Sequence, residues 1–235
     1  MLGVGDGVTA PPVAVVAPVH GNAVTLVELA DRLGGALGDR PWRLRLVVDA
    51  SPDGSGAVAA ALAAADPRVV VTELTRNRGQ HAALVRGLAD EAGAGAWVCL
   101  DADLQDPPEA VPLLLERLEG PGGVAAVFAG RRGAYESWAR RATGALHRRL
   151  LAGLTGLPPD AGAFLALDAR ARAAVLTASA PSVVAAIGAS GLPTASVPVA
   201  RLPRPGGRSS WTWAARASLS VRTLAWAGRQ RLGPR

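Results

Sequence analysis

Trp97-Val98-Cys99-Leu100-Asp101-Ala102-Asp103-Leu104-Gln105-Asp106-Pro107-Pro108-Glu109 is the stretch on which the fold turns. Its first half is apolar and short, which predicts a buried strand over residues 96–101. Pro108 then opens a helix over 108–119, at the first-turn position where a missing N–H costs nothing. Between them Asp101, Asp103 and Gln105 are spaced i, i+2, i+4. On extended backbone such side chains point to one side. Three hard oxygen donors at a strand end suit Mg²⁺ or Mn²⁺, with a diphosphate as co-ligand. Acids before a helix also serve as caps, and Asp106 before Pro107 fits that use. A cap does not need three oxygen side chains on one face, so the metal reading is preferred.

The same alternation repeats on either side. Residues 13–19, 44–49, 69–74 and 124–129 read as apolar strands. Residues 22–37, 55–65 and 80–92 read as helices, with Leu26, Leu29 and Leu33 turned inward on the first. Apolar strands alternating with helices predict an α/β fold with a mostly parallel sheet covered on both faces. Ligands of such sheets sit beyond the carboxyl ends of the strands. The loops at 49–55, 75–80 and 101–106 therefore line one crevice. The second half is less regular. It reads as a basic helix over 135–154, a strand over 164–168, a helix over 169–178, a strand over 192–199, a Pro/Gly/Arg/Ser loop over 202–210 and a terminal helix over 211–229. No repeat or long linker divides the chain, so 1–200 and the basic tail 201–235 read as one domain.

Composition narrows the function classes. The 235 residues are 49% apolar and 19% charged, which excludes a disordered chain. The single Cys99 excludes an internal disulfide framework and a four-cysteine zinc site. No basic, long apolar signal segment follows Met1, so secretion is not expected. The net charge of +6 is unevenly spread. Residues 1–168 hold 15 Arg and 19 acids, whereas 169–235 hold 10 Arg and no acid. Residues 173–200 are uncharged, but Pro181, Pro193 and Pro198 interrupt them, which argues against a membrane span.

Two further loops carry polar groups. Val48-Asp49-Ala50-Ser51-Pro52-Asp53-Gly54-Ser55 ends a strand in an acid and turns into a helix. Asp49 there suits a nucleobase imide or a ribose hydroxyl, and the same residues suit an Asx/Pro turn with a helix cap. Arg76-Asn77-Arg78-Gly79-Gln80-His81 places basic groups ahead of a helix, which suits phosphate or simply a solvated loop. In 211–229, Trp213, Ala217, Val221 and Leu224 share one helical face, with Arg222 and Arg229 roughly opposite. Such a helix fits a membrane interface with anionic lipid, or the domain's own sheet, equally well. The 135–154 helix, with Arg140, Arg141, Arg148 and Arg149, shares that ambiguity. No nucleic-acid-binding motif accompanies the basic charge.

Taken together, Pro18-Val19-His20, the 49–55 turn, residues 77–83 and Asp101-Ala102-Asp103-Leu104-Gln105-Asp106-Pro107-Pro108-Glu109 resemble the inverting glycosyltransferases of family 2. The subgroup most similar is that of the polyprenyl-phosphate glycosyltransferases, including dolichyl-phosphate mannosyltransferases. The likeness continues through Gly130-Arg131, Glu136-Ser137-Trp138, residues 162–168 and the Arg201 to Trp211 loop. It implies a GT-A fold, a three-layer α/β/α domain. It implies that Asp101, Asp103 and Gln105 hold Mg²⁺ or Mn²⁺, and that Asp101, Asp103 and Arg131 are catalytic. Pro18, Asp49, Arg78 and Gln80 would join Asp101 and Asp103 around a nucleotide-sugar donor. Arg131, Arg132, Arg201, Arg204, Ser209 and Ser210 would meet the acceptor or the diphosphate. A polyprenyl-phosphate acceptor implies a cytoplasmic protein lying peripherally on the membrane surface, without nucleic acid, and homo-oligomerisation stays open.

The chain departs from the family pattern at three places. Pro18-Val19-His20-Gly21-Asn22 stands where the family usually has P-V-Y-N-E. A single Asp49 follows Val48 where paired acids are usual. Gly162-Ala163-Phe164-Leu165 replaces the common G-D-F-R, so both an acid and an arginine are missing. Two other readings therefore stand beside the first: a hydroxyl acceptor, with Asp160 as the only carboxylate near that motif, and a degenerate nucleotide-sugar-binding protein.

Overall fold

A computed structural model describes residues 11–132, 149–203 and 213–232. Strand β1 (Val13–Val19) lies inside the sheet, with a strand on either side, and has no polar side chain to expose. Val13, Val15, Ala17 and Val19 point into one core cluster, while Ala14 and Val16 point into another on the opposite face. A strand covered on both faces needs no polar alternation. β2 (Trp42–Asp49) and β4 (Ala96–Cys99) flank it, both parallel, and β3 (Val69–Leu74) pairs parallel with β2. β6 (Leu165–Leu167) runs antiparallel between β4 and β5 (Ala126–Arg132). β7 (Thr194–Ala200) closes the sheet, parallel to β5. The order β3-β2-β1-β4-β6-β5-β7 is mostly parallel, as the sequence predicts.

Helices cover both faces. α1 (Leu26–Leu37), α2 (Ser55–Ala65) and α4 (Val111–Glu119) cover the first cluster, α4 being entered through a 3₁₀ turn at Pro108–Ala110. α1 buries Leu26, Leu29, Ala30, Leu33 and Leu37, so the leucine spacing read from the sequence is its inward face. α3 (Gln80–Asp90), the helical residues 149–155 (α5), α6 (Ala169–Thr177) and α7 (Val183–Ser190) cover the second cluster, with α8 (Trp213–Leu232) against α7. α3 lies close on the sheet at Gly87. A Cβ there would run into Val16 and sit 2.9 Å from Val47 Cγ2. Asp168 and Ser182 cap α6 and α7, each accepting from the backbone N–H three residues on.

Several expected bounds need correction. β4 stops at Cys99, two residues short of Asp101. α1 starts at Leu26, because residues 23–25 form a turn held by Thr25 N–H on Asn22 O. The uncharged run 173–200 is no span: it contains helix α7, which the sequence reading omitted, and strand β7. Among the described residues no helix is long and apolar enough to cross a membrane. Of the expected apolar face of the terminal helix, Leu224 packs on the second cluster, Val221 does not, and the side chains of Trp213 and Ala217 lie outside the described residues. Thr223 and Ala227 are buried, while Val221 is 68% exposed. Most of the expected 135–154 helix, with Arg140, Arg141 and Arg148, lies outside the described residues, as do the 204–210 loop and Trp211.

Candidate functional site

Because β1, β2, β3 and β4 are parallel, their carboxyl ends share one edge of the sheet. β5 and β7 run in the same direction, so Arg131, Arg132 and the start of the 201 segment reach that edge too. The edge is where a ligand of an open α/β sheet binds.

The turns after β1 and β2 are laced together by side chains. Gly21 N–H donates to Ser51 Oγ at 2.7 Å, Asn22 N–H to Ser55 Oγ at 3.1 Å and Ala23 N–H to Asp53 Oδ2 at 3.0 Å. Asp53 Oδ1 also accepts from both serine hydroxyls, at 2.6 and 2.5 Å. Partial burial opposes its charge, but these hydroxyl and backbone donors prevail and hold the carboxyl well below the usual carboxylate range. His20, which follows Pro18 and Val19, sets its Nδ1 3.0 Å from Asp49 O, and Asn77 Nδ2 lies 3.4 Å from both ring nitrogens.

Asp49 is 3% exposed, and its two oxygens accept from Arg78 N–H at 2.6 Å and Gly79 N–H at 2.7 Å. The carboxylate that ends β2 thus fixes the loop that follows β3. Gly79 takes φ +84°, a conformation that side chains resist, and lets the loop fold back onto Asp49 before α3 begins. Gln80, the first residue of α3, donates from Nε2 to Asp101 Oδ1 at 2.5 Å.

The run from Asp101 to Asp106 is a turn, not a continuation of β4. Leu104, fully buried, has φ +58°. The extended-strand argument for Asp101, Asp103 and Gln105 therefore does not hold. They share one turn instead of one strand face. Asp103 is 8% exposed, and its Oδ1 accepts Gln105 N–H at 3.1 Å. Asp101 and Gln105 are half-buried. Thr25 holds the turn from the α1 side by donating its hydroxyl to Ala102 O at 2.6 Å. Among the described residues no three His, Cys, Asp or Glu side chains gather. A cation here would rest on two carboxylates, the Gln105 amide oxygen and oxygens of its ligand, which is the hard-donor set that Mg²⁺ or Mn²⁺ accepts. Cys99 beneath the turn is fully buried. Burial, and then the nearby Asp101, push its thiol up to about 12, so it takes no part as a thiolate.

The residues expected to meet an acceptor are described in part. The backbones of Arg131 and Arg132 end β5. Arg201 is placed against Asp106, with Nε 3.2 Å from Oδ1. Arg204, Ser209 and Ser210 lie outside the described residues. A Cβ on Gly130 would collide with the carboxylate of Asp160 and with Ser196 Oγ, so Asp160 lies directly against the residue preceding Arg131. The sequence reading noted Asp160 but not this neighbour. It also missed Thr25 and the Asp106–Arg201 pair, because partners 77 and 95 positions apart leave no local pattern.

A layered α/β/α sheet with a carboxylate-bearing turn at its carboxyl edge defines the GT-A class of fold. Solved structures of that class superpose closely on the chain. Glucosyl-3-phosphoglycerate synthase from Mycobacterium tuberculosis, solved with Mn²⁺, uridine-diphosphate and phosphoglyceric acid, gives a TM-score of 0.71 at 20% identity, covering 96% of this chain and 80% of that one. Mannosyl-3-phosphoglycerate synthase from Rubrobacter xylanophilus gives 0.64 at 17%, covering 94% and 74%. The chain belongs to glycosyl transferase family 2, whose sequence model matches residues 14–166. It is 34% identical over 160 residues to the uncharacterized glycosyltransferase YkcC of Bacillus subtilis, 66% of this chain and 49% of that protein. It is 40% identical over 135 residues to an undecaprenyl-phosphate 4-deoxy-4-formamido-L-arabinose transferase of Pseudomonas aeruginosa, 55% of this chain and 39% of that protein. The chain thus spans less than half the length of these curated relatives.

Proposed function

We propose that this chain moves a sugar, a hexose by our reading, from a uridine or guanosine diphosphate sugar to a polyprenyl phosphate, inverting the anomeric carbon. The observation that carries the reading is the Asp101–Gln105 turn, held by Gln80 and Thr25 at the same edge of the sheet on which the β5 backbone ends at Arg131 and Arg132. The names of the Pseudomonas and similar relatives support the polyprenyl-phosphate acceptor. Asp101, Asp103 and Gln105 would hold the Mg²⁺ or Mn²⁺, which neutralises charge growing on the nucleoside diphosphate as the sugar bond breaks. Pro18, Asp49, Arg78 and Gln80 surround the donor in this reading, with Asp49 acting at least by setting the Arg78–Gly79 backbone.

A phosphate monoester oxygen is already ionised at neutral pH, so the attacking group requires no strong protein base. What it requires is a cationic clamp that holds it in line with the anomeric carbon. Arg131 and Arg132 supply that clamp, joined by Arg204, Ser209 and Ser210 from the basic tail. The basic tail and α8 also propose a peripheral seat on an anionic membrane surface at the cytoplasmic face, with Arg222 and Arg229 exposed. The test incubates the chain with Mn²⁺, a panel of labelled UDP- and GDP-sugars and undecaprenyl phosphate. Label should move into the organic extract only with the lipid present. Label appearing only on a soluble hydroxyl compound contradicts the acceptor.

One observation favours that second acceptor. Asp160 brings a carboxylate against Gly130, on the acceptor side, where a hydroxyl nucleophile would need a base. Asp160→Asn separates the two readings. It should leave transfer to a phosphate acceptor within a few-fold, and should cut transfer to a hydroxyl by about 10²–10⁴.

A further inference from the structure

We infer that Arg201 is a positioning residue for the cation-holding turn, not a phosphate ligand, and that Arg201 and Leu202 form the outer support of that turn. The inference rests on the donor-site reading above. Asp106 is 2% exposed, and the Arg201 side chain paired with it is about one-tenth exposed. A buried ion pair contributes little net stability over apolar residues of similar size, but it fixes geometry, since each charge is costly without its partner. Next to it, Leu202 N–H donates to Gln105 O at 2.7 Å, and Gln105 Nε2 donates back to Leu202 O at 3.5 Å. Two hydrogen bonds and one ion pair therefore fasten residues 201–202, just past β7, to residues 105–106.

The Gln105 contact has a chemical consequence. An amide that turns its NH₂ to the Leu202 carbonyl keeps Oε1 as the end that can face a cation. Reversed, it would offer N–H to a positive charge. Outer groups that orient a metal ligand in this way change metal affinity by about 10–100-fold. The turn needs such support, because Leu104 holds a left-handed backbone that leucine disfavours. Each part of the turn has its own holder: Gln80 for Asp101, Thr25 for Ala102, and the Arg201–Leu202 segment for Gln105 and Asp106.

Calorimetric titration of UDP and GDP into the full chain, with Mn²⁺ and with chelator, tests this in wild type, Arg201→Met, Asp106→Leu and the double variant. The double variant removes both charges together and guards against misfolding of the singles. Each single variant and the double should lose about 10-fold or more of the Mn²⁺-dependent gain in nucleotide affinity. The losses should not add, and affinity in chelator should not change. A phosphate ligand behaves otherwise: Arg201→Met would weaken binding in chelator too, and Asp106→Leu in the folded chain would spare the Mn²⁺-dependent gain. Either result overturns the inference while leaving the donor reading intact. A wild type that shows no Mn²⁺-dependent nucleotide binding removes the donor reading, and the inference with it.

Discussion

Asp49 directs both carboxylate oxygens at backbone N–H groups of a loop 29 and 30 residues away. Asp49→Asn would set an amide NH₂ against one of those donors. The expected loss is about 1–3 kcal/mol in denaturant unfolding, the range for an unsatisfied buried group. An Asn variant as stable as wild type would show that the clamp is dispensable. His81, in the first turn of α3, is half-buried. Burial lowers its pKa below the usual 6.5, against an opposing hydrogen bond to the Ala180 backbone. The neutral ring is thus favoured in the fold, and the unfolded chain takes up the proton first as pH falls. The stability that His81 contributes is complete above 6.5 and declines below it, as pH drops through the folded value. Unfolding free energies at about pH 7.5 and about pH 5.5 should therefore differ more in wild type than in His81→Gln. Equal differences would contradict the buried, neutral ring. For the acceptor clamp, Arg131→Ala should raise the KM for polyprenyl phosphate by about 10-fold or more with little change for the donor. Equal effects on both substrates would place Arg131 elsewhere.

At the level of elements, the strand and helix order from β1 to α4 was legible because apolar strands and leucine-spaced helices alternate without interruption. What was not legible has physical causes. β4 ends at Cys99 because the chain turns before Asp101, and the left-handed Leu104 that shapes this turn carries no Gly or Asn signal. α7 escaped because Val183–Ser190 is small and apolar on all sides, with no polar stripe to show a period. On α8 the expected face holds at Leu224, which packs on the second cluster, but not at Val221, while Thr223 and Ala227 are buried instead. Within the site, the Asp101-Ala102-Asp103 motif was visible, but its holders were not, since Thr25 and Arg201 come from distant elements. Close approach also governs α3. Gly87→Ala should lift the helix from Val16 and Val47 and cost about 1–3 kcal/mol in thermal or denaturant unfolding. A neutral substitution there would contradict the tight seating of α3 on β1 and β2.

Across the whole molecule, charge and fold are separated. The first 168 residues hold all 19 acids and build the sheet edge where β1 to β4 end, whereas the last 67 supply 10 arginines. On the proposed reading this polarity would serve two anionic partners, a nucleoside diphosphate through a cation and a lipid phosphate through arginine. Binding to vesicles with about one-third anionic lipid should exceed binding to neutral vesicles and fall with salt. Equal binding to both vesicle types would remove the membrane seat. The central claim is that the turn from Asp101 to Gln105 grips a divalent cation on the donor. It is tested most directly by the initial rate of sugar transfer with Mn²⁺, in excess chelator, and after Mn²⁺ is restored, in wild type and Asp103→Ala. The account predicts transfer that vanishes in chelator, returns with Mn²⁺, and is absent throughout in Asp103→Ala. Transfer that persists in chelator, or survives in Asp103→Ala, would contradict it.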